Sequence, residues 1–122
     1  MVWMVVAAIY GAVAVIAGAF GAHGLKSVLT PEQLVSWNTA AHYHLLHSVA
    51  LLALGLYAAT TGRSVTLPAT LFAVGVLLFS GSIYGLLLTS QRWLGPVTPI
   101  GGVLMIAAWL TLIALARPAA ER

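Results

Sequence analysis

The sequence contains no cysteine and very little charge. Without cysteine, the chain can form neither a disulfide nor a thiolate metal site, and it has no thiol nucleophile. Charged residues make up 6% of the chain, and only two of them are acidic. The sequence therefore offers no paired carboxylates of the kind used in general acid–base catalysis.

Other signatures of catalysis are missing as well. No serine has a base and an acid in a plausible register, and no phosphate-cradling loop with its lysine occurs. We therefore find no support in the sequence for an enzyme. The five basic residues are scattered instead of forming a basic stripe, which argues against nucleic acid as a partner.

Apolar residues, in contrast, make up 61% of the chain. They fall into four blocks, each long enough to cross a bilayer, since a spanning helix needs about 20 residues. Only short connectors remain between the blocks, and short connectors make consecutive helices antiparallel neighbours. The sequence predicts an all-α integral membrane protein, a single transmembrane domain over residues 1–122 folded as an up-down bundle of four transmembrane helices. The expected spans are about 2–22, 40–60, 67–89 and 100–116.

The first block has one feature of a secretory signal peptide, because Ala17-Gly18-Ala19 resembles a small-residue cleavage site. Two features favour an uncleaved helix instead. No lysine or arginine precedes the apolar run, and the run is too long for a typical signal-peptide core. Small residues recur along this block at helical spacing and indicate a smooth face for helix packing: Ala7, Gly11, Ala14, Gly18 and Ala22.

A polar stretch before the second block carries a helix-start signal. Thr30 is a suitable N-cap, Pro31 suits the first helical position, and Gln33 stands where the partner in a capping box belongs. A helix that starts here and continues through the second block has about 30 residues and a length of about 45 Å. Because the hydrocarbon core is about 30 Å thick, we expect a short interfacial helical segment before the second span. Trp37 is expected at headgroup level.

The basic residues predict an orientation. Four spans place both termini on one side of the membrane, together with Arg63, Arg117 and Arg122. Lys26 and Arg92 lie on the opposite side. The positive-inside rule then places both termini in the cytoplasm.

Histidines are the only side chains that titrate near neutral pH in this sequence, and three of them form a candidate polar or ligand cluster. His23 ends the first block, while His44 and His47 lie one turn apart near the start of the second block. Neutral imidazole binds zinc, copper and iron, so one interpretation is a metal or haem site. The other is a structural role, with hydrogen bonds between helices. A proton relay is disfavoured, since no intramembrane acidic residue stands beside them.

The structural interpretation is the one we favour, and it requires no cofactor. The sequence contains no further ligand near the histidines apart from Glu32, which belongs to the helix start. We expect His23 and His47 to lie within direct or one-water reach of each other, or of shared partners such as Tyr43 and Ser48. His42 points away from the other two histidines of its helix.

Four segments in this order and spacing resemble a known family. Gly18-Ala-Phe-Gly-Ala-His-Gly24 closes the first block, and Tyr43-His-Leu-Leu-His-Ser-Val-Ala-Leu51 opens the second. Leu78-Phe-Ser-Gly-Ser-Ile-Tyr84 lies in the third, and Val97-Thr-Pro-Ile-Gly-Gly102 enters the fourth. Together they closely resemble the YgdD-like family (domain of unknown function 423), which comprises small four-helix membrane proteins. The resemblance implies a fold and a bacterial inner-membrane location, but no activity.

Several motif positions of that family are small or polar residues suited to helix packing. Gly81-x-x-x-Gly85 is itself a close-packing signal between membrane helices. Ser82 and Tyr84 are expected to bond to neighbouring helices or to line a small polar cavity. In addition to His23 and His47, the packing and motif positions are Gly18, Gly21, Gly24, Gly81, Ser82, Tyr84, Gly85, Pro99, Gly101 and Gly102.

Two classes of function therefore follow from the sequence. The first is a non-enzymatic membrane protein that acts as an accessory, packing or assembly partner, in the lipid bilayer and as a candidate homo-oligomer or partner of another membrane protein. The second is a metal-binding, haem-binding or small-solute-handling membrane protein that uses the region of His23, His44 and His47. A further ligand reaching the histidines would distinguish the second class from the first.

Overall fold

The computed structural model describes residues 1–117 and contains four long α-helices and two short 3-10 helices. All four α-helices are long and apolar enough to cross a membrane, and the described residues contain no β-strand. These observations confirm the expected all-α membrane architecture. The α-helices are α1 (Val2–Ala22), α2 (Pro31–Thr61), α3 (Thr66–Thr89) and α4 (Val97–Ala116), and the 3-10 helices are Gly24–Ser27 and Arg92–Leu94.

The predicted start of α2 is confirmed by its capping geometry. The Thr30 hydroxyl accepts a hydrogen bond from the backbone N–H of Gln33 at 3.2 Å, and the Gln33 side chain accepts one from the Thr30 N–H at 2.9 Å. This reciprocal capping box satisfies two donors at the helix start. From Pro31 the helix continues without a break for 31 residues. The segment expected before the second span is therefore the first turns of α2 itself.

The fourth helix begins earlier than the sequence indicated. It starts at Val97, three residues before the expected start at residue 100, so Pro99 lies inside the first helical turn. Proline is tolerated there because backbone N–H groups in the first turn have no partner within the helix. Pro99 therefore does not delay the start of the helix.

Sequential helices are neighbours, as an up-down bundle requires. The backbones approach most closely between α1 and α2 and between α3 and α4, and α2 packs against α3 to join the two hairpins. Phe72 of α3 and Leu51 of α2 are the largest side chains that are fully buried. Most other large apolar side chains are exposed on the outer surface, as expected for a small bundle surrounded by lipid.

Glycine allows the closest contact between α3 and α4. A Cβ atom added to Gly75 would lie 3.0 Å from the carbonyl oxygen of Gly101 and 2.8 Å from Cγ of Met105. A Cβ atom at Gly101 would overlap the backbone nitrogen of Phe79 and lie 2.6 Å from the Gly75 carbonyl oxygen. The motif position Gly101 is thus a packing residue, and its partner Gly75 was not recognised from the sequence.

The other expected glycine contact between helices, Gly81-x-x-x-Gly85, is not formed. A Cβ atom at Gly81 would meet only the Leu77 side chain of its own helix, at 3.9 Å. One at Gly85 would meet Leu94, in the following 3-10 helix, at 2.9 Å. Spacing places both glycines on one face of a helix, but the packing of α3 turns Phe72 and Gly75 inward instead.

The small-residue face of α1 also differs from the expected one. Beyond Ala14 the buried small residues are Ala17 and Gly21, whereas Gly18 is half-buried and Ala22 is exposed. A Cβ atom at Gly18 would meet no atom within 4 Å. At the two remaining motif glycines an added Cβ atom would meet only side-chain atoms. It would lie 3.3 Å from Phe20 at Gly24 and 3.8 Å from Phe79 at Gly102.

The contrast between the two motif glycines Gly101 and Gly81 gives a stability test. We expect Gly101→Ala to lower the free energy of unfolding by about 1–3 kcal/mol, because the new methyl group meets backbone atoms that cannot move aside. Gly81→Ala is the matched control, and we expect it to be neutral or up to about 1 kcal/mol stabilising. Thermal unfolding of the purified proteins in detergent measures both effects. Equal destabilisation by the two substitutions would contradict the packing of α3 on α4.

Candidate functional site

The three candidate histidines do not form one cluster. His23 is exposed at the end of α1, where the neighbouring part of α2 is Trp37, packed beside Gly21. His47 lies ten residues further along α2, which is about 15 Å along the helix axis. Among residues 1–117 no group of three or more histidine, cysteine or acidic side chains could hold a metal ion. The expected proximity of His23 and His47 is therefore wrong.

His47 is held by hydrogen bonds at both ring nitrogens. Nδ1 lies 2.8 Å from the carbonyl oxygen of Tyr43, one turn earlier in α2. Nε2 lies 3.0 Å from the indole nitrogen of Trp109 in α4, which can only donate. Since the carbonyl can only accept, these partners assign the proton to Nδ1 and the lone pair to Nε2. The Nδ1 proton and the Nε2 lone pair are both engaged in these hydrogen bonds, so this imidazole offers no free lone pair to a metal.

Aromatic side chains enclose the His47 ring. The ring centroid of Phe72 lies 5.5 Å from that of His47, and the indole of Trp109 lies 5.8 Å away. Phe72 and Trp109 also meet edge-to-face at 5.0 Å, a geometry that aromatic pairs favour. The side chain of His47 is only 4% exposed. Burying a polar ring without hydrogen-bond partners is unfavourable, and the bonds to Tyr43 and Trp109 avoid that cost.

His44 contacts different helices from His47. Its Nδ1 atom lies 3.1 Å from the phenolic oxygen of Tyr84 in α3, and its ring meets that of Tyr10 in α1 edge-on at 5.9 Å. Tyr10 in turn donates to the carbonyl oxygen of Ala73 in α3 at 2.9 Å. His44 thus belongs to a polar contact that joins α1, α2 and α3, whereas His47 joins α2 to α4.

Trp37 is buried between helices near the start of α2, and its position at headgroup level remains a prediction. It is 5% exposed, and its indole N–H donates to the carbonyl oxygen of Ala17 at 2.7 Å. A Cβ atom at Gly21 would lie 2.7 Å from Cδ1 of this indole ring. The motif glycine therefore makes room for the ring, which also packs against Tyr84 with a centroid distance of 4.6 Å.

Buried serines complete the set of polar contacts between helices. Ser80 of α3 donates to the carbonyl oxygen of Ala40 in α2 at 2.8 Å. Ser82 bonds to the hydroxyl of Thr98 in α4. Within residues 1–117, every buried side-chain nitrogen or oxygen has a hydrogen-bond partner. The motif residues Ser82 and Tyr84 therefore link helices, as one of the two sequence interpretations proposed.

Tyr10 and Trp109 hold two of these contacts, and neither was predicted from the sequence as a site residue. Each carries one polar group on a large apolar ring and stands in the middle of an apolar block. A buried tyrosine O–H or tryptophan N–H usually finds a hydrogen-bond partner, since leaving it unpaired is unfavourable. Their depth in the blocks was the available signal, but it did not identify their partners on other helices.

Three openings lie between helices that are not in close backbone contact. A cleft of about 230 Å³ between α1 and α3 is lined by Tyr10, His44, Gly81 and Tyr84, among others. Two cavities of about 340 Å³ each lie between α2 and α4, on either side of Trp109. Among the polar side chains at these openings, Tyr10, His44 and His47 already bond to other helices.

Comparison with known proteins places this architecture in a family. The family model described as "Protein of unknown function (DUF423)" matches residues 17–102. A UPF0382 membrane protein of Staphylococcus saprophyticus is 43% identical over 112 residues, covering 92% of this chain and 93% of the relative. The UPF0382 membrane protein YwdK of Bacillus subtilis is 38% identical over 117 residues, covering 94% and 95%.

The similarity extends beyond bacteria. A UPF0382 membrane protein of Schizosaccharomyces pombe is 44% identical over 114 residues, covering 88% of this chain and 95% of the relative. No solved structure matches the chain. Because the family model spans most of the chain and the relatives match over nearly their full length, the protein belongs to the DUF423 family of membrane proteins of unknown function.

Proposed function

We propose that this protein is a non-enzymatic membrane protein that acts as an accessory or assembly partner. The observation that carries the proposal is the bonding of His47, the best-placed candidate ligand. Its Nε2 atom accepts from Trp109 and holds α2 against α4, and its Nδ1 atom bonds within α2 to Tyr43. His44 bonds through its Nδ1 atom to Tyr84 of α3. The most reactive side chains of the membrane interior thus serve the packing of the bundle, which leaves the outer surface for interactions.

The alternative function is metal binding, haem binding or small-solute handling through His23, His44 and His47. It requires these side chains to converge and to keep free lone pairs. The separation of His23 from His47 and the occupied nitrogens of His47 support the structural role instead. The two functions differ in a property that can be measured on the purified protein.

The test is to replace His47 and measure both stability and bound cofactor. We expect His47→Ala to lower the free energy of unfolding by about 1–3 kcal/mol, because it leaves the indole N–H of Trp109 unpaired. His42→Ala is the matched control: His42 is exposed on the same helix, and we expect a change within about 0.5 kcal/mol. Thermal unfolding in detergent, an absorbance spectrum and metal analysis give the readouts.

If the role of His47 is structural, metal analysis of the wild-type protein should find no stoichiometric metal and its absorbance spectrum should show no haem band. A cofactor that is bound by the wild type and lost from His47→Ala, while the bundle still forms, would establish the alternative function. Unchanged stability of His47→Ala would contradict the structural role of the hydrogen bond to Trp109.

Assembly with a second copy or with another membrane protein needs an outer surface that a helix can approach. Gly18 and Gly81 have this property, since neither has a packing partner on another helix of the bundle. They also lie at similar depth along the bundle. Tyr10 of α1 bonds to Ala73 of α3, and the two helices run in the same direction. Gly18 follows Tyr10 by eight residues, and Gly81 follows Ala73 by eight residues. Small residues permit close helix approach in membranes, which supports this side of the bundle as the assembly surface.

We expect Gly81→Leu to reduce assembly without unfolding the bundle. The leucine side chain would project from the surface of α3, where a Cβ atom meets no other helix, and would keep a partner helix away. Chemical cross-linking in membranes reports the assembled fraction, and thermal unfolding in detergent reports bundle stability. Gly62→Leu is no suitable control because Gly62 has a positive φ of 72°; Ala12→Leu, at an exposed position of α1, serves instead. An unchanged cross-linked fraction in Gly81→Leu would refute this surface.

For location, we propose the bacterial inner membrane with both termini in the cytoplasm. Arg63 bonds to the backbone carbonyl of Arg117 at 3.4 Å, which supports the assignment of these two residues to one end of the bundle. Lys26 and Arg92 belong to connectors at the other end. Arg122, which also entered the prediction, lies outside the described residues.

Reporter fusions test this orientation. A reporter that is active only in the cytoplasm should be active when fused after Arg122 and inactive when inserted beside Arg92, because the excess of arginine at the Arg63 end retains that end in the cytoplasm. A second reporter, active only in the periplasm, should give the opposite pattern. Periplasmic activity at the fusion after Arg122 would reverse the orientation.

A further inference from the structure

Two apolar cavities lie between α2 and α4 on the outside of the bundle, and together they are called the groove below. Trp109 lines both of them and stands between them. On α2 the lining extends from Tyr43 to Tyr57, which is 14 residues and therefore about 21 Å. This length exceeds one half of a hydrocarbon core about 30 Å thick. The two cavities together are therefore long enough for a single acyl chain of one leaflet to lie along them, across the outer surface of Trp109.

The groove exists because α2 and α4 are held apart. The close backbone contacts of the bundle are those between sequential helices, and α2 and α4 are not sequential. The side chains of His47 and Trp109 bridge the gap with a hydrogen bond, and the positions beside them on α2 carry small residues such as Ala50 and Ala53. The walls are otherwise aliphatic and aromatic, as an acyl chain requires.

One end of the groove carries an arginine. Tyr57 and Ala116 line this end, and the guanidinium group of Arg63 bonds to the phenolic oxygen of Tyr57. The same guanidinium donates to the carbonyl oxygen of Arg117, the residue that follows Ala116. Arg63 therefore stands between the last turn of α2 and the end of α4, beside the Tyr57 end of the groove. Its side chain itself lines a separate cavity between α3 and α4.

The position of Arg63 is set by the turn that ends α2. Gly62 has a φ of 72°, a left-handed conformation that glycine adopts without strain. It turns the chain back, so that the Arg63 guanidinium carbon lies 5.5 Å from the centroid of the Tyr57 ring. A guanidinium group has five N–H donors, and two bonds to Tyr57 and Arg117 leave further donors for an anion.

The charged side chains described at this end of the groove are positive. The Arg117 side chain is exposed beside Arg63, and its carbonyl, not its side chain, makes the bond to Arg63. Among residues 1–117 the single carboxylate side chain is Glu32, in the first turn of α2 at the opposite end of that helix. Basic pockets between transmembrane helices are a recognised means of binding lipid phosphate groups.

From these observations we propose that the groove between α2 and α4 is a binding site for one anionic diacyl phospholipid. The acyl chain lies along the groove past Trp109, and the phosphate group contacts the guanidinium groups of Arg63 and Arg117. This site is independent of the accessory role proposed above, since it depends only on the geometry of α2, α4 and the turn after Gly62.

Native mass spectrometry of the full-length protein in detergent tests the proposal. The protein is given equimolar dioleoyl phosphatidylglycerol and dioleoyl phosphatidylcholine, which share their acyl chains and differ in headgroup charge. We expect the one-lipid complex to favour phosphatidylglycerol by about fivefold or more, the factor that corresponds to one arginine near a membrane surface. Equal binding of the two lipids would overturn the site.

Neutralising substitutions locate the headgroup. Arg63→Gln and Arg117→Gln should each reduce the preference for phosphatidylglycerol, whereas Arg92→Gln, at the opposite end of the bundle, should leave it unchanged. Arg117→Gln keeps the carbonyl bond to Arg63, so it remains informative if Arg63→Gln fails to fold. Arg63→Lys should retain most of the preference because the charge remains. A loss of preference in Arg92→Gln alone would place the anionic site at the other end.

Bulky substitutions locate the acyl chain. Ala53→Phe fills the groove from an exposed position, and Ala12→Phe adds the same group on the outer face of α1 as the matched control. We expect Ala53→Phe, but not Ala12→Phe, to reduce phosphatidylglycerol binding several-fold. Added glycerol phosphate, the soluble headgroup alone, should not compete. Competition by glycerol phosphate, or a wild-type dimer that Ala53→Phe dissociates, would show a different occupant and overturn the proposal.

Discussion

A polar group inside a bilayer has no water to bond with, and this constraint governs the interior of the bundle. Several polar side chains are buried where the helices pack together: Trp37, His44, His47 and Ser80. Each bonds to a side chain or a backbone carbonyl, and the buried polar side-chain atoms of residues 1–117 are all paired. Because several of the partners belong to other helices, satisfying these groups also fixes how the helices sit together.

Helix pairs differ in how far close backbone contact and polar bonding hold them together. Gly75 and Gly101 bring the backbones of α3 and α4 together, and the bond between Ser82 and Thr98 joins the same two helices. The pair α2 and α4 has no such contact and is held across a wider gap by Trp109 and His47. The hydrogen bond between Trp109 and His47 occupies the lone pair of His47, and the wider gap that it spans leaves an apolar groove on either side of Trp109. The spacing of α2 and α4 thus explains both the polar contact and the candidate binding surface.

The outer surface of the bundle carries the features that are not used in its packing. The relatives are named only as membrane proteins, and the family description assigns no activity. Both nitrogens of His47 are engaged in hydrogen bonds, whereas the outer surface carries Gly18 and Gly81, which pack against no other helix, and a groove with Arg63 near one end. Interactions within the membrane are the functions that such a surface supports.

The sequence by itself determined the helices, because block length, apolar composition and the Thr30 capping box are local properties. It also predicted Gly21 and Gly101 as packing positions and Ser82 and Tyr84 as polar contacts. Only the tertiary structure decided which face of each helix turns inward, since that depends on all neighbours at once. For this reason Gly75 replaced Gly81 in the packing of α3 on α4, and His44 and His47 bonded to different helices although they lie one turn apart.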